Sequence, residues 1–314
     1  MSVAASLENI RIRFGEPETT CLADDTGLQL NLASPHLSGP MSEVLLECEG
    51  AEQVSCEHFS LLSGKDTTVG MAVIECGPEG IELAAKTLYE ELLKQTAGLN
   101  LYRLWNFVPR INEVSLGREN YHSFNVGRHQ AFADAYGETK MNRHLPAASA
   151  VGLQEDQDRL ALVFLAGNQP ALYSENPRQT PAYKYPAEFG PCSPSFARGA
   201  VVEGREGRVA YLSGTSSICG CETVGTGDLE MQFSETIENI GEALKQMGFD
   251  GLAGNTTDYS SQFRVYVRDE ADYPEIRQRF TQVVGEEIAG QTVFIQADIC
   301  RQPLKLEIEG VFRS

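Results

Sequence analysis

The order strand, helix, strand is met twice along this chain of 314 residues, and that repetition restricts it to two related α+β modules. In the first pass, T-V-G-M-A-V-I-E-C reads as a buried strand and the following G-P-E-G as a break. From Ile81 to Leu93 the apolar residues Ile81, Ala84, Ala85, Leu88 and Leu92 recur at helical spacing, with Glu82, Glu90 and Glu91 off the stripe. L-Y-R-L-W-N-F-V-P-R-I-N then gives an apolar, aromatic strand that Pro109 ends. In the second pass, R-V-A-Y-L-S-G-T is a strand, and a helix follows from about Ser234 to Met247 with Ile237, Ile240, Leu244 and Met247 on one face. The alternating strand F-R-V-Y-V-R-D comes next, and a helix from Tyr273 to Val284 starts on the Asp272 and Pro274 signals. The expected division is an N-terminal domain over residues 1–150 and a C-terminal domain over 151–314. Short apolar runs in residues 1–62, such as Leu28 to Leu32 and Val44 to Leu46, read as strands and turns. The stretch from Asn168 to Arg198, rich in Pro, Tyr and Ser, reads as a long ordered loop of the kind that often carries function.

Charge narrows the partners. With 44 acidic and 25 basic side chains the formal charge is -19, which repels phosphate backbones and anionic membranes, so neither nucleic acid nor membrane is expected as a partner. No run of 18 apolar residues occurs, and M-S-V-A-A-S-L-E-N-I lacks the basic and apolar blocks of a signal peptide, so the expected location is the cytoplasm. The cysteines at 21, 48, 56, 76, 192, 219, 221 and 300 are irregularly spaced and read as reduced thiols. C-G-C at 219–221 has no second pair and is a poor zinc signature, and the histidines at 36, 58, 122, 129 and 144 show no ligand spacing beyond the separated His122 and His129.

Chemistry concentrates near the end of the chain, in D-I-C-R-Q-P-L-K-L-E-I-E-G. There Leu304, Leu306 and Ile308 alternate with Lys305, Glu307 and Glu309, a strand of period two that sets both carboxylates and the lysine on one face. A solvated edge strand has the same pattern. The functional reading adds the soft, potentially reactive thiol of Cys300 seven residues before Glu307, and several arginines, a set suited to a small anionic substrate handled by proton transfer. Arg110, Arg128 and Arg198 are candidate forks for a carboxylate, against the alternative of surface pairing with the abundant acids. Tyr121 and Tyr185 can donate to an anionic oxygen or merely pack. S-G-T-S-S at 213–217, with Gly214 and Thr215, reads either as an anion nest or as a plain turn. The absence of G-x-S-x-G, H-E-x-x-H and G-x-G-x-x-G weighs against hydrolases, zinc proteases and dinucleotide enzymes in their usual forms.

The blocks L-Y-R-L-W-N-F-V-P-R-I-N, E-N-Y-H-S-F-N-V-G-R, Y-P-A-E-F-G-P-C-S-P-S-F-A-R, S-G-T-S-S-I and Q-A-D-I-C-R-Q-P-L-K-L-E-I-E-G resemble those of the chorismatases, in a consistent order over about two thirds of the chain. The last block, with F-R-V-Y-V-R-D-E-A-D-Y-P, also resembles the terminal half of the RidA/YjgF enamine/imine deaminases. The resemblance implies an α+β chain of two RidA/YjgF-like (chorismate mutase-like) modules, each a mixed sheet with helices packed on one face. The arginine by which those deaminases hold a carboxylate would fall near Gln291 and is absent, so other arginines would hold an acid here.

Chorismatases remove pyruvate from chorismate, and the resemblance implies that small molecule as substrate and Glu307 as the acid that protonates its enol methylene. A carboxyl flanked by Leu306 and Ile308 is expected to hold its proton more tightly than usual. Glycine and cysteine at the positions of Gly214 and Cys300 resemble the 3-hydroxybenzoate-forming subgroup, whereas the subgroup that hydrolyses chorismate to a dihydrodiol has alanines. On that resemblance Cys300 assists opening of an arene oxide and Gly214 leaves room for it. Substrate binding is assigned to Arg198, Arg128, Arg110, Tyr121, Tyr185, Gly214 and Thr215, with no metal, nucleotide or other cofactor required and the chain a monomer or a homo-oligomer. 4-Hydroxybenzoate as a second product, the dihydrodiol, an imino-acid deaminase and a non-catalytic metabolite-binding module are the alternatives.

Overall fold

The computed structural model describes residues 7–77, 80–153, 158–204, 207–252 and 259–314, the side chains of 7, 8 and 47–49 excepted. The first six residues of the leader reading, part of the G-P-E-G break and the Cys48 thiol lie outside the described residues. The chain opens with β1 (Leu7–Phe14), β2 (Thr20–Asp24), β3 (Gly27–Leu32), β4 (His36–Ser38) and β5 (Ser42–Glu49). A first module comprises β6 (Glu52–Ser55), β7 (Phe59–Ser63), β8 (Thr67–Glu75), α1 (Gly80–Gln95), β9 (Asn100–Pro109), the ribbon β10 (Val114–Ser115) with β11 (Arg118–Glu119), α2 (Asn120–Tyr136), β12 (Ala147–Leu153) and β13 (Arg159–Gly167). The second comprises β14 (Ala171–Ser174), β15 (Gly199–Gly204), β16 (Gly207–Thr215), the ribbon β17 (Ile218–Cys219) with β18 (Glu222–Thr223), α3 (Leu229–Gln246), β19 (Ser260–Val267), α4 (Tyr273–Val284), α5 (Glu286–Gln291), β20 (Val293–Gln296) and β21 (Leu306–Arg313).

The two large sheets have the same wiring. One runs β6-β7-β8-β13-β9-β12, the other β14-β15-β16-β21-β19-β20 with β4 added at its edge. In each, three antiparallel strands come first and the module's last strand inserts at the centre. A parallel pair closes the far side, β9 with β12 and β19 with β20, as a connection through helix requires. The expected pair of related α+β modules is therefore present in the topology itself.

Period-two alternation decides which way each strand faces. Along β13, Leu160, Leu162 and Phe164 join the core under α1 and α2, while Ala161, Val163 and Leu165 point to the opposite face. Along β21, Leu306, Ile308 and Phe312 pack beneath α3 and α4. The helix-free faces of the two sheets meet in a third core, completed by Ile10, Ile12 and Phe14 of β1 and Leu28, Leu30 and Leu32 of β3. Because β21 has β16 on one side and β19 on the other, it is a central strand, and the solvated-edge reading of its alternation fails.

Two details differ from expectation, and a third element, α2, has no counterpart in the sequence pattern. The division at residue 150 falls inside β12, and the sheet that β12 edges runs on through β13 to Gly167, so on sheet membership we propose that the first unit extends to that residue. α3 starts at Leu229 rather than near Ser234, because Asp228 caps it by accepting from the Met231 amide at 3.0 Å and Leu229 and Phe233 are already buried. α2 carries no clean apolar stripe, since it buries Asn120, Asn125 and Arg128 beside Phe124 and Phe132. It nonetheless packs tightly on α1, where a Cβ at Gly127 would lie 2.8 Å from the Lys86 nitrogen.

Candidate active site

A pocket opens where β12 of the first sheet meets β16 and β21 of the second. Its wall is Ala148, Ser149 and Ala150 on one side and Gly214 and Glu307 on the other, with Tyr121 and Arg128 reaching in from α2. The Pro- and Tyr-rich stretch supplies Tyr185, Pro194, Phe196 and Arg198, and the segment ahead of β21 supplies Cys300 and Arg301. The functional reading of that long loop thus rests on four of its residues at the pocket.

Local structure explains how these groups arrive together. The register of β16 with β21 shifts between Leu212 and Thr215, and this bulge brings Gly214 against Glu307. Ser213 holds the bulge by donating to the Ala197 carbonyl at 2.6 Å and accepting from the Ala148 amide at 2.9 Å, which also fixes the neighbouring Arg198. The segment bearing Cys300 is clamped by Arg268, whose guanidinium donates to the carbonyls of Leu304, Ile299 and Arg301 and to the Asp298 carboxylate.

Glu307 is 4% exposed and its Oε1 has no hydrogen-bond partner among the described residues. Burial, seconded by the charge of Glu309, raises its pKa to about 8 against the opposing pull of Arg103, Arg198 and the Ser216 hydroxyl. It is therefore a protonated carboxyl at neutral pH. A Cβ at Gly214 would stand 2.6 Å from Cδ of Glu307, so only glycine permits this placement. Cys300 is half-buried beside the same carboxyl, and desolvation followed by the charge of Glu307 pushes its thiol up to about 12. The potentially reactive thiol expected at Cys300 is thus a neutral S–H at neutral pH, able to donate a proton or hydrogen bond.

Three guanidinium groups face the pocket without a carboxylate partner among the described residues. Arg128 donates to Asn125 at 2.7 Å and lies 4.9 Å over the Phe124 ring. Arg198 donates to the Tyr185 hydroxyl at 2.8 Å and to the Thr180 carbonyl at 3.2 Å, with its carbon 5.1 Å from the Phe196 centroid. Arg301 lies 4.5 Å over Phe189 and 5.2 Å over Tyr185, and donates to the Cys221 carbonyl at 2.7 Å. Each keeps one buried N–H unpaired, at Nε of Arg128, Nε of Arg198 and Nη2 of Arg301. Buried cations that lack a counter-charge are costly, and an anion in the pocket relieves that cost.

Of the expected site residues, Glu307, Cys300, Arg198, Arg128, Tyr121, Tyr185 and Gly214 converge here. Two do not. Arg110, held at φ 45, turns outward to pair with Asp158 and Glu113. Thr215 is buried and spends its hydroxyl on the Ser213 carbonyl at 2.8 Å, so of S-G-T-S-S, read as an anion nest or a plain turn, only Gly214 and Ser216 line the pocket. Arg301 is the residue missed. Its place beside Cys300 in the C-R-Q-P block was the available signal.

Comparison with known proteins gives the same direction. Residues 43–166 match the family model described as chorismatase FkbO/Hyg5-like, N-terminal. A 3-hydroxybenzoate synthase of Streptomyces hygroscopicus is 34% identical over 301 residues, covering 90% of this chain and 84% of the relative. A chorismatase of Streptomyces rapamycinicus is 31% identical over 246 residues, covering 74% of this chain and 72% of the relative. The crystal structure of a chorismatase superposes with a TM-score of 0.85 at 25% identity, covering 99% of this chain and 94% of that one.

Proposed function

The chain belongs to the chorismatase family, and from that premise we propose that it converts chorismate to 3-hydroxybenzoate and pyruvate. The observation that carries the reading is a protonated carboxyl, Glu307, beside two buried arginines, Arg128 and Arg198, and the half-buried Arg301, none of which has a carboxylate partner among the described residues. A dicarboxylate supplies the missing counter-charges, and an enol ether needs the proton.

In the proposed sequence Arg198, Arg128 and Arg301 hold the two carboxylates of chorismate, with Tyr185 ordering the Arg198 guanidinium. Glu307 gives its proton to the enol methylene, making an oxocarbenium ion whose bond to the ring is weakened. The adjacent ring hydroxyl attacks the ring carbon and returns its proton to Glu307, while the ether oxygen leaves with its electron pair as the carbonyl of pyruvate. The resulting arene oxide opens with a proton donated to its oxygen, for which the neutral Cys300 thiol at the pocket wall is the candidate. Loss of the ring proton restores that donor and leaves the aromatic acid. Chorismate is the sum of the two products, so no water enters. The chain's own residues account for each proton in this scheme, and a cytoplasmic location fits the source of such a substrate; among the described residues no helix is long and apolar enough to cross a membrane.

Incubating the purified protein with chorismate in the presence of a chelator, with chromatography of the mixture, tests the proposal. Equimolar pyruvate and 3-hydroxybenzoate are expected. Binding without pyruvate release would leave a metabolite-binding protein, and a dihydrodiol as the main product would place the chain in the hydrolytic subgroup.

A further inference from the structure

Behind Glu307 lies a row of charges buried between the sheets that the proposed chemistry does not use. Glu309, on the same face of β21 and 4% exposed, accepts from Arg103 Nη2 at 2.5 Å and from Trp105 Nε1 at 2.9 Å, and is ion-paired with Arg264 Nη1 at 2.9 Å. Arg264 is paired in turn with Glu43 of β5 at 2.5 Å, and Arg103 also donates to the Ser149 hydroxyl on the pocket wall at 3.0 Å. The row thus contains two arginines and two carboxylates besides Glu307. Burial opposes ionisation of Glu309, but Arg103, Arg264 and the Ser149 and Trp105 donors outweigh it and hold the group below its usual range.

We propose that Arg103 and Glu309 are positioning residues for Glu307 that act in opposite senses: Glu309, paired with Arg103 and Arg264, sets a fixed negative charge on the same face of β21 and keeps the proton on the acid, while Arg103 limits that effect. This rests on the reading of Glu307 as the proton donor. The argument is one of charge matching. With Glu43 and Glu309 already matching the charges of Arg264 and Arg103, ionising Glu307 would add an excess buried negative charge next to Glu309. The other groups facing Glu307 are common to the wild type and both variants. Tyr266, its register partner on β19, carries no positive charge, Cys300 is a neutral thiol, and Arg198 and Arg301 on the pocket side pull towards the ionised form in all three proteins.

The two partners therefore act in opposite directions. Glu309→Gln leaves two arginines against one carboxylate, so Glu307 ionises more readily and the alkaline limb of the kcat profile moves down by about one pH unit or more. Arg103→Gln leaves two carboxylates against one arginine, and the limb moves up by about the same amount. Infrared titration of the carboxyl band that Glu307→Gln removes reads the same shifts without substrate, so the positioning role is tested even where chorismate is not turned over. Limbs and bands within about 0.3 units of wild type in both variants, or moving in the same direction, would overturn the proposal. Where one variant does not fold, as judged by circular dichroism, the other decides. The unaltered protein decides as well, since absence of that carboxyl band at pH 6 would show that Glu307 is already ionised.

Discussion

Gly214 and Glu307 occupy one another's space: a methyl group on residue 214 would stand 2.6 Å from Cδ of Glu307 and closer still to its Oε1. The glycine expected to make room for an intermediate makes room first for the acid. An alanine there forces the carboxyl aside, and with it the origin of the proton.

Replacing Glu307 by Gln should keep the fold and lower kcat by on the order of 10²–10⁴, because an amide has no proton to give. Wild-type turnover should be flat through neutral pH and fall as pH rises through about 8, where the acid ionises. Stopped-assay pyruvate measurements across pH check both, and a variant within about threefold of wild type would remove Glu307 from the acid role.

The same carboxyl makes stability pH-dependent. Its folded pKa of about 8 lies above the ordinary value of 4.5, so the folded state is favoured fully below 4.5 and loses that advantage as pH rises to about 8. Glu307→Gln should therefore be more stable than wild type at pH 9, by up to about 5 kcal/mol on this shift, and nearly equal to it near pH 4. Denaturant midpoints at the two pH values measure the difference, and equal gaps at both would contradict it.

Cys300→Ala removes the neutral donor beside Glu307 and should raise the share of trans-dihydrodiol over 3-hydroxybenzoate. Gly214→Ala with it should shift the ratio further and also slow total pyruvate release by about tenfold or more, since displacement of the acid alone costs a large part of its effect. Chromatography reads the ratio; an unchanged one in the double variant would show that neither residue controls the branch.

Arg128→Ala, Arg198→Ala and Arg301→Ala should each raise KM for chorismate by about 10–100-fold, the effect of one charge-assisted hydrogen bond of about 1.5–3 kcal/mol. Arg110→Ala should leave KM within about twofold, because its ion pairs with Asp158 and Glu113 lie partly in solvent away from the pocket. Initial-rate kinetics of the four variants separate the assignments.

What the sequence made legible follows from parity and short-range pattern. The alternation of Leu306, Glu307, Ile308 and Glu309 correctly put both carboxylates on one face, but parity is silent on what lies opposite, and Arg103 and Trp105 come from a strand some 200 positions earlier. The stripe from Ile81 to Leu92 announced α1, whereas α2 hid because its buried face carries Asn125 and Arg128 for the pocket. Arg110 and Arg301 both adjoin a distinctive motif. Only the backbone, turned at φ 45 in one case and clamped by Arg268 in the other, decides which faces the substrate.

The depth of Arg128 and Arg198, 1% and 5% exposed, shapes the approach of a dianion from solution. A chain of formal charge -19 presents a repulsive exterior, and the attractive guanidinium groups are felt only after the mouth of the pocket is passed. Moderate salt screens the long-range repulsion more than it screens the buried arginines. Encounter with chorismate should accordingly quicken as ionic strength rises from low values, the reverse of an enzyme whose arginines lie on its surface.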